Sequence, residues 1–395
     1  MSTPDRQSEP HPERRPDPAP DRGAASGPVA VAVLGGGQLG RMLGVAGIPL
    51  GLHFRFLDPG SAPPAAAVGP VVEGALDDRS SIDRVVGGAT VVTYEWEGVP
   101  ADAARYASEQ VPVRPSPRAL EISQDRATEK ETCRGLGIDV ADFAAVDDRA
   151  DLDAAIASVG LPGVLKTRRG GYDGKGQHVL RRPEDADAAW ASLGGVPLIL
   201  EALVPFDREL SVLAARGIDG ATACYPLVEN THVDGILRTS RAPATGVGAA
   251  LQTEGEQIAR RLLDELEYVG VLAVELFEHN GRLLVNELAP RVHNSGHWTI
   301  EGAETSQFEQ HLRAVLGWPL GSAASPGTST MVNCIGAMPE REAVLAIPGA
   351  HLHDYEKRAR PGRKVGHITI TATSDAELTE RLSALRAAAP DQFPA

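Results

Sequence analysis

Val271-Leu-Ala-Val-Glu275-Leu-Phe-Glu-His-Asn280-Gly281-Arg-Leu-Leu-Val-Asn286-Glu287 is two strand-like runs separated by a turn signal, and it reads as an antiparallel hairpin. Its register decides what the two carboxylates can do. With a three-residue loop and Gly281 as a bulge, Glu287 faces Ala273 and is the diagonal neighbour of Glu275 on the same face, about 7–8 Å away. A two-residue Asn-Gly turn shifts the pairing and puts the two on opposite faces. The sequence leaves both registers open. On a shared face, Glu275 and Glu287 offer hard oxygens to one Mg²⁺, an ion that commonly shares its ligands with substrate phosphates.

Upstream, two more strands, Val164 to Thr167 and Gln177 to Leu180, flank Gly170-Gly171-Tyr172-Asp173-Gly174-Lys175-Gly176. Four glycines in seven residues let backbone amides approach phosphate oxygens closely, and Lys166 and Lys175 add charge. The order of a Walker A loop is missing and a strand follows in place of a helix, so the segment reads as a hairpin lid over a triphosphate. Downstream, Leu288 to Trp298 is dense in donors, with Arg291 suited to charge on an acyl phosphate and His293 and Asn294 to positioning bicarbonate. Further on, Lys357-Arg-Ala-Arg-Pro-Gly-Arg363-Lys364-Val-Gly-His367 is a basic turn in an acidic chain and reads as a phosphate-monoester clamp.

The beginning of the chain has a different texture. Val29 to Leu34 is a buried-strand run, followed by Gly35-x-Gly37-x-x-Gly40, a helix from about Arg41, and Asp58 at the end of the next strand. This is nearly a dinucleotide fingerprint and, alone, suggests a nicotinamide or flavin enzyme. It leaves the glutamate pair and the glycine lid unexplained. Strands at about Thr90 to Tyr94 and Val111 to Arg114 complete a Rossmann-like parallel α/β domain over 29–124. An α+β unit is expected over 125–320, with a lid at about 140–203, and a small C-terminal domain over 321–395. Residues 1–28 hold seven prolines and no apolar period, and are expected to be a disordered tail.

Composition excludes several classes. Apolar residues make up 42% and charged residues 23% of 395, the balance of a globular protein. No apolar run approaches the ~18 residues of a membrane span, and no signal-peptide core opens the chain. A net charge of −15 argues against a nucleic-acid surface, which needs a basic stripe. Cys133, Cys224 and Cys334 fit neither a disulfide framework nor a zinc site, which favours the cytoplasm. Only five of the 38 basic residues are lysines, and four of these fall in the glycine-lid and C-terminal basic segments. Lysine's compact ammonium is not interchangeable with arginine's fork.

Six separated segments together resemble the 5-(carboxyamino)imidazole ribonucleotide synthase family of ATP-grasp ligases. They are Gly35 to Met42, Val92 to Glu95, Gly170 to Gln177, Asp234 to Ser240, Asn286 to His297 and Arg360 to His367. The resemblance implies ATP between two antiparallel sheets, met by Arg126, Lys166, the Gly170–Gly176 loop, Glu201, Ala202, Leu203, Val204, Glu209, His232, Asn286 and Glu287. It implies Mg²⁺ on Glu275 and Glu287. Aminoimidazole ribonucleotide would meet Glu95, Tyr172, Asp173 and Lys175, and its phosphate Lys357, Arg363 and Lys364. The N-terminal glycine turn then serves the ribonucleotide side and not a nicotinamide cofactor. The implied reaction is ATP- and bicarbonate-dependent carboxylation through carboxyphosphate in purine biosynthesis, with Arg291, His293 and Asn294 holding the intermediate. A homodimer is the family's usual state. Glu356 stands where the family commonly has Gly. The rival readings are another ATP-grasp carboxylase or a formate-using transformylase, which would share Lys166, Glu275 and Glu287.

Overall fold

The first strand, β1 (Ala30–Leu34), is buried almost throughout, as a strand covered on both faces must be. The computed structural model describes residues 30–171 and 176–393; the expected tail and Tyr172, Asp173, Gly174 and Lys175 lie outside the described residues. β1 pairs in parallel with β2 (His53–Asp58) and β4 (Val91–Tyr94), and β3 (Val71–Glu73) extends the edge beyond β2. The Val111–Arg114 segment contributes a single bridge, Val92 to Val113, and not a full strand. Helix Gln38–Gly47 starts three residues earlier than the sequence suggests, because Gly35, at φ +101°, reverses the chain directly after β1.

A second sheet contains β5 (Phe143–Val146), β6 (Gly163–Thr167), β7 (Gln177–Leu180) and β8 (Leu198–Ala202), in the order β5-β8-β6-β7 and antiparallel throughout. Lys166 pairs with Ile199 across β6 and β8, so Glu201 sits one diagonal step from Lys166 on the same face.

The largest sheet is built from β9 (Arg208–Arg216), β10 (Thr222–Cys224), β11 (Val228–Val233), β12 (Ile236–Ala242), β13 (Gly270–His279), β14 (Arg282–Ala289), β15 (Thr328–Ile335), β16 (Ala350–Asp354) and β17 (Lys364–Ala372). Its order is β14-β13-β9-β11-β12-β15-β17-β16, with β10 on β9. Because β12 pairs with β15, the C-terminal strands continue this sheet, and the Gly/Ser/Pro stretch at 321–328 is only a connection. Helix Asp375–Ala388 runs 14 residues.

One face of the large sheet packs Leu210, Val212, Leu272 and Val274 against Ile258 and Leu262 of helix Ala249–Glu265. On the other face, Leu213 and Ala273 share a core with Trp298, Phe308 and the parallel sheet's Val33 and Phe56. That shared core fixes the first domain against the third sheet. Among the described residues no helix is long and apolar enough to cross a membrane.

Candidate active site

A cavity of about 550 Å³ opens where the three sheets meet. Its wall from the large sheet is the Glu275–Glu287 hairpin, whose register is neither of those foreseen. The turn is the two-residue Asn280-Gly281, with φ of 52° and 73°, and His279 pairs with Arg282. Continued regularly, this pairing would place the carboxylates on opposite faces. A bulge intervenes: Leu276 pairs with Val285 while Glu275 pairs with Glu287, leaving Asn286 as the extra residue. The two glutamates are therefore direct partners across the ladder, where Cβ atoms lie about 4.5–5.5 Å apart. Burial pushes the Glu275 carboxyl up to about 7, with the Glu287 charge as the second cause. Two carboxylates paired this closely repel one another, and that is the observation by which Mg²⁺ fits them. Among the described residues no group of three or more His, Cys, Asp or Glu side chains is placed to hold a metal. An ion here would complete its ligands with water and phosphate oxygens, as Mg²⁺ commonly does.

The lid sheet supplies cations. Lys166 Nζ donates to Glu201 Oε2 at 2.9 Å. Arg126 donates to the carbonyls of Thr167 and Gly170 at 2.9 and 2.7 Å, anchoring the strand end and glycine loop above the cavity. Glu209 accepts from or shares a proton with His232 Nδ1 at 2.8 Å. Burial would lower that imidazole's pKa, but the Glu209 hydrogen bond and the Glu275 charge outweigh it and leave it raised. Glu201 likewise stays below the usual carboxylate range although burial opposes this, because Lys166 and Lys130 both face it.

The loop after β14 gives the floor. Arg291 forms an ion pair with Glu97, which the sequence reading missed. His293 Nε2 is 3.3 Å from Glu275 Oε1, and burial holds His293 well below its ordinary pKa. Asn294 and Asn333 exchange amide hydrogen bonds at 3.0 and 2.8 Å, and Asn333 also reaches the Leu237 carbonyl. Asn333 was invisible in sequence because its partner is 39 residues away, in the loop after β14.

At the N-terminal side, Glu95 accepts from the amides of Gly37 and Gly40 at 2.6 and 2.8 Å, capping helix Gln38–Gly47. A Cβ on Gly37 would lie 2.5 Å from Glu95 Oε1, so these glycines make room for a carboxylate of the chain itself. Asp58 is spent on the amides of Gly36 and Gly60. The pyrophosphate place of a dinucleotide fold is thus filled from within, which removes the nicotinamide reading. Lys357 bonds Gln38, and burial, with Arg363 and Lys364 adding repulsion, lowers its pKa to about 8. Lys364 lines the cavity. Arg363, donating to the Arg358 carbonyl at 3.4 Å, lies off the wall, as do Lys357, Gly170, Gly176, Glu201, Ala202 and Val204.

A Rossmann-like unit, a four-stranded antiparallel lid and a large sheet closing on one polar cavity define an ATP-grasp ligase. Family models match in the same order: the ribonucleotide synthetase preATP-grasp domain over residues 29–124, the ATP-grasp domain over 131–308, and the phosphoribosylaminoimidazole carboxylase C-terminal domain over 329–381. The chain belongs to the N5-carboxyaminoimidazole ribonucleotide synthase family. It is 52% identical over 357 residues to the synthase of Pseudomonas aeruginosa, covering 90% of this chain and 98% of that one. The N5-carboxyaminoimidazole ribonucleotide synthetase structure from Thermus thermophilus superposes with a TM-score of 0.88 at 54% identity, covering 91% of this chain and 98% of that one. An Aspergillus clavatus synthase structure, in complex with ADP and 5-aminoimidazole ribonucleotide, gives a TM-score of 0.86 at 32% identity, covering 92% and 99%.

Proposed function

We propose that bicarbonate is the carboxyl donor in the ATP-dependent carboxylation of 5-aminoimidazole ribonucleotide that this chain, like its family, catalyses in purine biosynthesis. The observation that carries this reading is the like-charged Glu275–Glu287 pair facing a cavity also lined by Arg126 and Lys166. ATP lies between the lid sheet and the large sheet, with Arg126, Lys166, Glu209, His232 and the Asn286–Glu287 bulge around it. The Glu201–Val204 segment lies at the edge of its base. Mg²⁺ on Glu275 and Glu287 supplies charge neutralisation for the phosphates when bound.

A bicarbonate oxygen attacks the γ-phosphorus, the bond to ADP breaks, and carboxyphosphate forms. Lys166 and Arg126 stabilise charge moving onto the phosphoryl oxygens by position and electrostatics. Arg291, locked by Glu97, and Asn294, locked by Asn333, hold the carboxyphosphate without rearranging. His293, kept neutral by burial, lies within 3.3 Å of Glu275 and borders the same space. The exocyclic amine of the ribonucleotide then takes up the carboxyl group and loses a proton, and phosphate leaves. The ribonucleotide occupies the Glu95 side, with its phosphate toward Lys364, Lys357 and Arg363; Tyr172, Asp173 and Lys175 complete this contact set. The chain divides functionally into 29–124, 125–320 (lid about 140–203) and 321–395, supported by the three family matches. A homodimer in the cytoplasm is the working state we assign, and three free cysteines support that compartment.

Steady-state ADP release, with each of ATP, Mg²⁺, bicarbonate and aminoimidazole ribonucleotide omitted in turn, tests the reading. All four should be required, and neither biotin nor a nicotinamide should be. Equal ADP release with formate and a glycinamide ribonucleotide would reject it in favour of a transformylase.

A further inference from the structure

Helix Arg126–Gly135 buries two consecutive charged side chains: Glu129 is 1% and Lys130 2% exposed. Such residues are almost never fully buried without partners. Here both partners lie on β14, one on each side of Glu287. Glu129 Oε2 accepts from the Leu288 amide at 2.9 Å, and Lys130 Nζ donates to the Asn286 carbonyl at 3.1 Å. Asn286 is the bulge residue, and a bulge disrupts the local ladder, so the backbone groups around it need other partners. Lys130 Nζ also lies 3.4 Å from Glu201 Oε2, the same oxygen that accepts from Lys166.

We propose that Glu129 and Lys130 form a positioning clamp that holds the Asn286–Leu288 bulge, setting Glu287 opposite Glu275, and ties that bulge through Glu201 to Lys166 in the lid sheet. The clamp rests on the reading of Glu275 and Glu287 as metal carboxylates. Without the bulge the two-residue turn would send Glu287 to the other face, so the clamp secures the one irregularity on which the pair depends. It also explains the fifth lysine: a compact ammonium can serve the Asn286 carbonyl and the Glu201 carboxylate at once from a tight buried position, where a planar guanidinium is no substitute.

The test uses the full chain with ADP and Mn²⁺, the latter as a paramagnetic probe. Lys130→Met and Glu129→Leu should weaken Mn²⁺ binding in the ADP complex by ~10–100-fold, the usual cost of losing a group that orients a metal ligand. The apparent KM for aminoimidazole ribonucleotide should stay within about twofold, since neither side chain lines the cavity wall. Glu129→Gln keeps an acceptor for the Leu288 amide and should recover most of the affinity. Should Lys130→Met fail to fold, the Glu129→Leu and Glu129→Gln pair decides the matter alone. Wild-type Mn²⁺ binding in folded Lys130→Met and Glu129→Leu, with Glu287→Gln weakened, would overturn the clamp while sparing the metal reading. Wild-type binding in Glu287→Gln itself would overturn the metal reading and the clamp with it. Equal losses in Mn²⁺ binding and ribonucleotide KM would show general damage and overturn positioning.

Discussion

The glycine turn at Gly35–Gly40 and the hairpin at Glu275–Glu287 both bring carboxylates to places where an ion would be expected, yet they end oppositely. At the turn, Glu95 gives its oxygens to two helix amides, so the positive end of the helix is answered by the chain itself. At the hairpin, two carboxylates face each other across the ladder and burial with their mutual repulsion raises one of them, which favours a bound cation between them. A motif whose charge is answered internally needs no ion; a motif left out of balance is where one belongs. The difference cannot be read from motif strength, because the glycine fingerprint was nearly complete and the hairpin register was ambiguous.

The hairpin side can be broken most severely. Glu287→Gln keeps volume and hydrogen-bonding atoms and should lower kcat for ADP formation by ~10²–10³, the scale seen when a charge-stabilising group is lost. Glu275→Gln should act in the same direction, and the double variant should be little worse than the poorer single one, because residues acting as a unit are non-additive. Stopped-flow ADP release beside circular dichroism checks both rate and fold. Wild-type rates in either single variant at saturating Mg²⁺ would erase the contrast between the two regions.

The ribonucleotide end should respond next. Lys364→Ala should raise the KM for aminoimidazole ribonucleotide roughly 10- to 150-fold, the value of a charge-assisted hydrogen bond, with the ATP KM nearly unchanged. Arg363→Ala should do less, since Arg363 sits off the cavity wall. Kinetics varying each substrate separately distinguish this from the inverse placement, in which the ATP KM would move first.

A pH profile sharpens the same end. Lys357, with its pKa lowered to about 8, is cationic below that pH and neutral above it. The contribution of its charge to phosphate binding is therefore present at low pH and lost as pH rises through about 8. The ribonucleotide KM should climb across that interval, and Lys357→Arg should flatten the climb.

The smallest effect belongs to the glycine turn. Glu95→Gln weakens a helix cap and should lower stability by about 0.5–2 kcal/mol, visible in thermal unfolding. The ATP KM should hold within about twofold, in keeping with an internally satisfied motif.

These contrasts follow what the sequence could and could not display. The parallel α/β start, the lid strands around Lys166 and the hairpin were legible because apolar period and glycine placement report local backbone directly. The bulge at Asn286 was not, since one extra residue leaves the alternation nearly unchanged. An Asn-Gly turn between two carboxylates that must share a face was the available hint. Glu129 and Lys130 were hidden inside an ordinary helical stretch, though Lys130 is the one lysine outside the two basic segments. Glu97, Asn333, and the Tyr355 hydroxyl bonded to His367 at 2.7 Å depend on partners distant in sequence or on buried packing. Only the tertiary structure brings those together.

The central claim is that the cavity uses ATP to activate bicarbonate, and the path of one oxygen atom tests it most directly. Turnover with ¹⁸O-labelled bicarbonate and aminoimidazole ribonucleotide, quenched early and read by mass spectrometry, should place one labelled oxygen in the released phosphate. Unlabelled phosphate would mean that water, and not bicarbonate, attacks the γ-phosphorus, and would contradict the account.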